Sequence, residues 1–187
     1  LTAFVFPIRF VGFRRFTGAA VTMADCASEN VDGLAFDGCW FANNAIGITL
    51  RSDVQTTKIL NSFFREHSVA AIQIPSGAAA GFGTLLIAGC KIQNNDTAPT
   101  SPLIDLATGG YGLSLRDNTV VIGPAASINA HLVRLSGSIF PNVVIQGGRY
   151  EITLRTGGTG RCVSVNTTVT GLCIQGVSFI QNGSGAT

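Results

Sequence analysis

Leu34-Ala-Phe-Asp-Gly-Cys-Trp-Phe-Ala-Asn-Asn-Ala-Ile-Gly-Ile-Thr-Leu50 contains two short alternating runs, Leu34-x-Phe36 and Ile46-x-Ile48-x-Leu50. Between them lie a glycine at Gly38, one large apolar residue at Phe41 and an Asn43-Asn44 pair. Alternation with period two reads as strand, and Gly or Asn between such runs reads as a sharp bend. A unit of this kind that recurs at a fixed period builds a solenoid.

The unit recurs. Its starts fall at Ile8, Leu34, Thr57, Leu85, Leu113, Val143 and Leu172, between 23 and 30 residues apart. Two residues after each start stands a large apolar side chain, from Phe10 and Phe36 to Ile145 and Ile174. Four after stand Gly12, Gly38, Asn61, Gly89, Asp117, Gly147 and Gly176, all residue types that tolerate a left-handed backbone. Seven after come Arg15, Phe41, Phe64, Ile92, Val120, Tyr150 and Phe179; Phe16 follows the one polar exception, so the first turn is expected to carry an extra residue. A third strand is expected at Val21-x-Met23, Ile46-x-Ile48, Ile72-x-Ile74, Ile104-x-Leu106, Val133-x-Leu135 and Val163-x-Val165.

A single turn of this length cannot bury its own apolar column. Turns therefore stack, with like residues about 4.8 Å apart. The expected fold is all-β, a single-stranded parallel β-helix of about seven turns with three short strands per turn. An antiparallel sandwich would instead need two-residue hairpin loops between matched strands. Asp37-Gly38 lies in the bend column, and Asp32-Gly33 and Asn182-Gly183 flank repeats, so none serves that purpose.

The pattern apolar-x-apolar-x-(Gly/Asn)-x-x-(Phe/Ile), seen in Leu85-Leu-Ile-Ala-Gly-Cys-Lys-Ile-Gln-Asn-Asn95 and Leu172-Cys-Ile-Gln-Gly-Val-Ser-Phe-Ile-Gln-Asn182, resembles the right-handed β-helices of the pectate-lyase-like group. It is most similar to the trimeric tailspike and tail-fibre β-helices of bacteriophages, and the likeness covers nearly the whole chain. The fold itself serves lyases, hydrolases, isomerases, adhesins and structural parts alike, so function has to come from a site.

Residues 1–187 are expected to form one β-helix domain, part of a longer chain, because Leu1 opens inside an apolar run. Polar or glycine-rich insertions are expected near 75–83, 94–102, 109–112, 123–129 and 155–161. Only 12% of residues are charged against about 25% in an ordinary domain, while 46% are hydrophobic, so much of the surface must be apolar or covered. Net charge is +2 with no basic block beyond Arg14-Arg15, which gives no nucleic-acid signature. No apolar run reaches the ~18 residues of a membrane span. Cys39 and Cys90 share a column but are two turns apart, too far for a disulfide, and read as buried free thiols of a protein assembled in a reducing cytoplasm.

Outward positions carry the functional expectations. Leu60, Leu86, Ala88 and Val144 form an apolar outer strip, a liability on a monomer and the candidate interface of a homotrimer. Six after the start, Trp40 over Phe63 with Arg14 and Lys91 on either side would make an aromatic ledge suited to a sugar, although subunit or loop packing is the commoner use of such rings. Ten acids offer little for catalysis. A glycosidase needs two carboxyl groups about 5 to 9.5 Å apart, and Asp37 and Glu66, on adjacent turns but in different columns, are the weak candidate pair. Asp105 is expected to form a surface ion pair with Arg134. His67 and His131 lack partners at metal spacing, and Gly157-Gly-Thr-Gly160 lacks the Lys-Ser/Thr of a phosphate loop, so neither metal nor cofactor is expected.

These readings, with the resemblance, imply a virion tail appendage assembled in a host cytoplasm. It would be structural and receptor-binding, in contact with other tail proteins and a host-surface polysaccharide, with no membrane insertion. The acid inventory leans away from an enzyme. The alternative is a polysaccharide depolymerase, a hydrolase or lyase of phage or bacterial origin.

Overall fold

The computed structural model describes residues 6–22, 33–50, 56–76, 82–123, 131–137, 140–153 and 160–183. These form a parallel β-solenoid with three sheets and contain no helix. Sheet 1 stacks Phe6–Arg9, Leu34–Asp37, Thr56–Leu60, Phe82–Ala88, Gly110–Arg116, Phe140–Gln146 and Val169–Gln175 in that order. Sheet 2 stacks Gly12–Arg14, Trp40–Ala42, Phe63–Arg65, Lys91–Asn94, Thr119–Ile122, Arg149–Thr153 and Ser178–Asn182. Sheet 3 stacks Ala19–Thr22, Ile46–Thr49, Ala70–Ile74, Ile104–Leu106, Val133–Ser136 and Val163–Asn166. Every pairing is parallel and joins equivalent strands of successive rungs, so the expected stacking of like on like is the register itself.

From Leu34 onward the sheet-1 column pairs as read: Leu34 with Thr57, Thr57 with Leu85, then Leu113, Val143 and Leu172. The first rung departs by two residues, because Phe6, not Ile8, pairs with Leu34. No residue is inserted there. Phe13 pairs with Phe41, and Gly12 opens a strand instead of making the corner. The corner falls to Phe10, with φ of 54°. An aromatic residue in the left-handed region is uncommon, and sequence rules favour the nearby glycine instead. In the third strand Val21 aligns with Ile48, so the inward pair is Ile48-x-Leu50 and not Ile46-x-Ile48. In Ile46-x-Ile48-x-Leu50 the alternation fits both choices, and only the ladder separates them. Gly110–Gly112, expected in an insertion, instead open a seven-residue sheet-1 strand. Met23, Cys26, the acids Asp25, Glu29, Asp32 and Asp53, and most of the insertions near 75–83, 123–129 and 155–161 lie outside the described residues.

The corner between sheets 1 and 2 follows a rule. Phe10, Gly38, Asn61, Gly89, Asp117, Gly147 and Gly176 all have φ between 48° and 64°. A Cβ on Gly38 would meet the Phe10 ring at 2.7 Å, one on Gly89 would meet Asn61 Oδ1 at 2.8 Å, and one on Gly147 would meet Asp117 Oδ1 at 2.1 Å. Each side chain in this column leans over the next rung, where only glycine leaves room. The second corner is also left-handed at Arg15, Asn43 and Glu66, held by backbone bonds from Arg15 N to Ala42 O, Asn43 N to Arg65 O and Glu66 N to Gln93 O.

Inside, Phe13, Phe41 and Phe64 stack face to face at 4.8 and 4.7 Å, above the fully buried Ile92, Val120 and Tyr150 of the same column. Beside the first corner runs a buried polar column, Cys39, Ser62, Cys90 and Asn118. Ser62 Oγ accepts from Cys39 N at 3.1 Å, and Asn118 Oδ1 accepts from Cys90 N at 3.0 Å. Both thiols are free, and burial pushes that of Cys90 up to about 11. On the last rung the same inward columns expose Leu172, Ile174 and Phe179, since no further described rung covers them.

Candidate functional site

The outer face of sheet 2 carries the ledge residues on successive rungs. Trp40 pairs with Phe63, and Phe63 with Lys91. Alternation turns these three outward because Phe41, Phe64 and Ile92 turn inward. The Trp40 ring, half exposed, meets Phe63 edge to face with centroids 5.4 Å apart. Lys91 Nζ lies 5.6 Å from the Phe63 centroid, within cation–π range. Arg14 does not join this column. With the first rung shifted, Gly12 stands beside Trp40, and Arg14 stands beside Ala42 in the neighbouring outward column.

That second column adds a residue the sequence reading overlooked. Ala42 pairs with Arg65, and Arg65 with Gln93, so Arg14 and Arg65 flank a small buried alanine. The available signal was the two-residue spacing from Phe63 to Arg65, which places both on one face. Farther along, Thr119 follows Lys91, and Arg149 is ion-paired with Glu151.

The two candidate catalytic carboxylates are not brought together. Asp37 lies at the first corner, where Asn61 Nδ2 donates to it at 3.0 Å and Arg9 Nε is 3.8 Å away. Glu66 lies at the second corner of the next rung. The strand Phe63–Arg65 lies between the two corners and holds their backbones roughly 13 Å apart at about 3.3 Å per residue, against about 5 to 9.5 Å between the carboxyl groups of a glycosidase. The Glu66 carboxylate accepts from Asn95 N at 2.8 Å, Thr97 N at 2.9 Å and Asp96 N at 3.2 Å. Burial alone would raise its pKa, but these amides outweigh burial and hold it below the ordinary value. Glu66 thus clamps the loop of the following rung, and it is poorly suited to donate a proton near neutrality.

Arg134 grips Asp105 in a two-pronged pair, 2.8 Å from Nε and 2.7 Å from Nη2. The partner is the expected one, but Asp105 is buried, 2% exposed, and not at the surface. His67 is fully buried, and its Nδ1 lies 3.3 Å from Asn44 O. Burial lowers its pKa to about 4. His131 Nδ1 accepts from Arg161 N at 3.1 Å. Among the described residues no group of three or more His, Cys, Asp or Glu could hold a metal ion, and no helix is long and apolar enough to cross a membrane.

The apolar strip lies on the outer face of sheet 1. Leu60 pairs with Ala88, and Leu86 sits two residues along the same strand; all three are half-buried. Val144 is two rungs beyond Leu86 with Ser114 between them. The small Gly112 and Ser114 leave a hollow of about 300 Å³ bounded by Thr84, Leu86, Arg116, Asn142 and Val144. The strip is therefore two apolar shoulders around a hollow. Compared with known proteins, the chain matches no family model, no curated protein and no solved structure.

Proposed function

We propose that this chain is a rod-like recognition element of the bacteriophage tailspike and tail-fibre kind. In this reading it is a right-handed, pectate-lyase-like β-helix that trimerises through the outer face of sheet 1 and holds the sheet-2 ladder against a host-surface polysaccharide. The observation that carries the reading is the outward Trp40–Phe63–Lys91 ladder on a stack of hydrogen-bonded rungs. An aromatic ring that keeps half its area in water, as Trp40 does, can stack on a sugar ring at little ordering cost when a rigid sheet fixes it. Buried free thiols at Cys39 and Cys90 suit assembly in a host cytoplasm before incorporation into a virion tail beside other tail proteins.

A depolymerase is the competing reading, and the engagement of Asp37 and Glu66 in structural bonds weighs against it. The test incubates the purified protein with surface polysaccharides from candidate bacterial hosts, measuring retention together with reducing ends and unsaturated products. Adhesion predicts retention without product, weakened several-fold by Trp40→Ala, as losing a stacking contact of about 1 kcal/mol requires. Product formation that disappears in Asp37→Ala would replace adhesion with depolymerisation.

A further inference from the structure

The geometry points to an acidic polysaccharide as the partner of the sheet-2 face, an inference that rests on the glycan-binding reading above. Three cations, Arg14, Arg65 and Lys91, surround the Trp40 and Phe63 rings on the same outward face. None of the three has an anionic partner among the described residues. Of the acids nearby, Asp37 is engaged by Asn61 and Arg9, Glu66 by three backbone amides, and Glu151 by Arg149 and Asn182, while Asp96 stands exposed in the loop after Lys91–Asn94. Among the described residues the three cations thus outnumber the nearby carboxylates of Glu66 and Asp96, leaving a local excess of positive charge in a chain whose net charge is only +2.

The layout also favours a polymer of charged rings over a point anion. The three cations are spread over four rungs at about 4.8 Å per rung and over two columns about 6.6 Å apart. They form no convergent pocket in which one phosphate or sulfate would meet several donors at once. A chain lying along the solenoid would place a pyranose face on Trp40 and its carboxylates within reach of Arg65 and Lys91. Guanidinium groups suit carboxylates through paired N–H donors, and the Lys91 ammonium, resting over Phe63, keeps donors free for solvent or ligand. A single-stranded nucleic acid also combines stacking with charge. The ladder offers only one half-exposed ring, Trp40, with Phe63 more covered beneath it, which is a poor platform for successive bases.

The experiment measures binding of the full chain to alginate and hyaluronate, to the same polymers after carboxyl reduction, to neutral dextran and mannan, and to oligothymidylate. Binding to at least one uronate polymer is expected. That binding should fall about tenfold on carboxyl reduction and by a similar factor in the Arg65→Gln/Lys91→Gln double variant, since exposed charge contacts contribute up to about 1 kcal/mol each. It should also weaken between low and high salt. Unchanged circular dichroism and melting of the double variant guard against misfolding. Neutral polymers bound as tightly as uronates, with Trp40→Ala still deleterious, would overturn the acidic assignment and leave the glycan reading standing. Tighter binding of oligothymidylate would assign the face to nucleic acid. No binding across the whole panel would overturn both.

Discussion

Replacing Glu66 separates a clamp from a catalyst. Its side chain crosses from one rung to the next and takes three backbone N–H groups in the loop after Lys91–Asn94. A hydrogen bond to a charged acceptor contributes about 1.5–3 kcal/mol, but the amides of Asn95 and Asp96 lie in exposed residues and would regain water once the carboxylate is gone. A net loss of about 1 kcal/mol per bond, or about 2–3 kcal/mol in all, is expected for Glu66→Ala. In a chain of this length that corresponds to a fall in Tm of about 4–12 °C. Glu66→Gln keeps acceptor capacity on one atom only and should lie between the two. The pH dependence has a definite sign. The folded pKa lies below the ordinary 4.5, so the contribution is fully present above that value and is lost as pH falls through the folded one. Denaturant melts of wild type and Glu66→Gln should therefore differ by a constant amount from pH 8 to about 5 and converge in stronger acid. Hydrogen exchange should quicken at residues 95–97 in both variants. Equal stability of Glu66→Ala and wild type at pH 7, or a gap that widens on acidification, would refute the clamp.

Other outcomes follow from the same register. Thr57 stands in the inward column of Leu34, Leu85 and Leu113 with its hydroxyl buried and unpaired, so Thr57→Val should raise stability by about 1 kcal/mol, read as a higher denaturant midpoint. Loss of stability in that variant would mean that the hydroxyl has a partner. His67 has its pKa depressed from 6.5 to about 4, so it favours the fold when neutral. Stability from this site should decline by about 3 kcal/mol as pH falls from 6.5 to 4, and His67→Gln should flatten that slope. If Leu86 and Val144 seat a second copy, Leu86→Lys should lower the assembly mass measured by sedimentation at micromolar concentration while leaving circular dichroism unchanged. A wild-type monomer would end the trimer proposal.

The rungs were legible where side chain and backbone agree. Gly38, Asn61, Gly89, Asp117, Gly147 and Gly176 announce left-handed corners by type, and the corners occur there. Phe10, Arg15 and Glu66 adopt the same conformation against their type, at a cost of order 1–3 kcal/mol each, because the ladder on the adjoining rung holds their amides in line. No local pattern reveals that restraint, and it is why the first rung was displaced and Arg14 misplaced. The Trp40–Phe63–Lys91 ladder followed from column arithmetic alone. Arg65 belongs to a second outward column whose other members, Arg14, Ala42 and Gln93, share no residue type, so no recurring pattern marks it. The work of Glu66 was hidden because its three partners lie 29 to 31 residues away in sequence.

The first corner limits how such a chain can change length. Glycine at Gly38 and Gly89 acts as a spacer between bulkier neighbours, Phe10 and Asn61 in the first case and Asn61 and Asp117 in the second. Excising the coil that bears Gly89 would press Asn61 against Asp117, two protruding groups in room made for one. Excising the coil that bears Asn61 would seat Gly38 next to Gly89 without collision. Shortening or duplication of the rod is therefore directional in this stretch: coils with a protruding corner are expendable, and those with a bare corner are not.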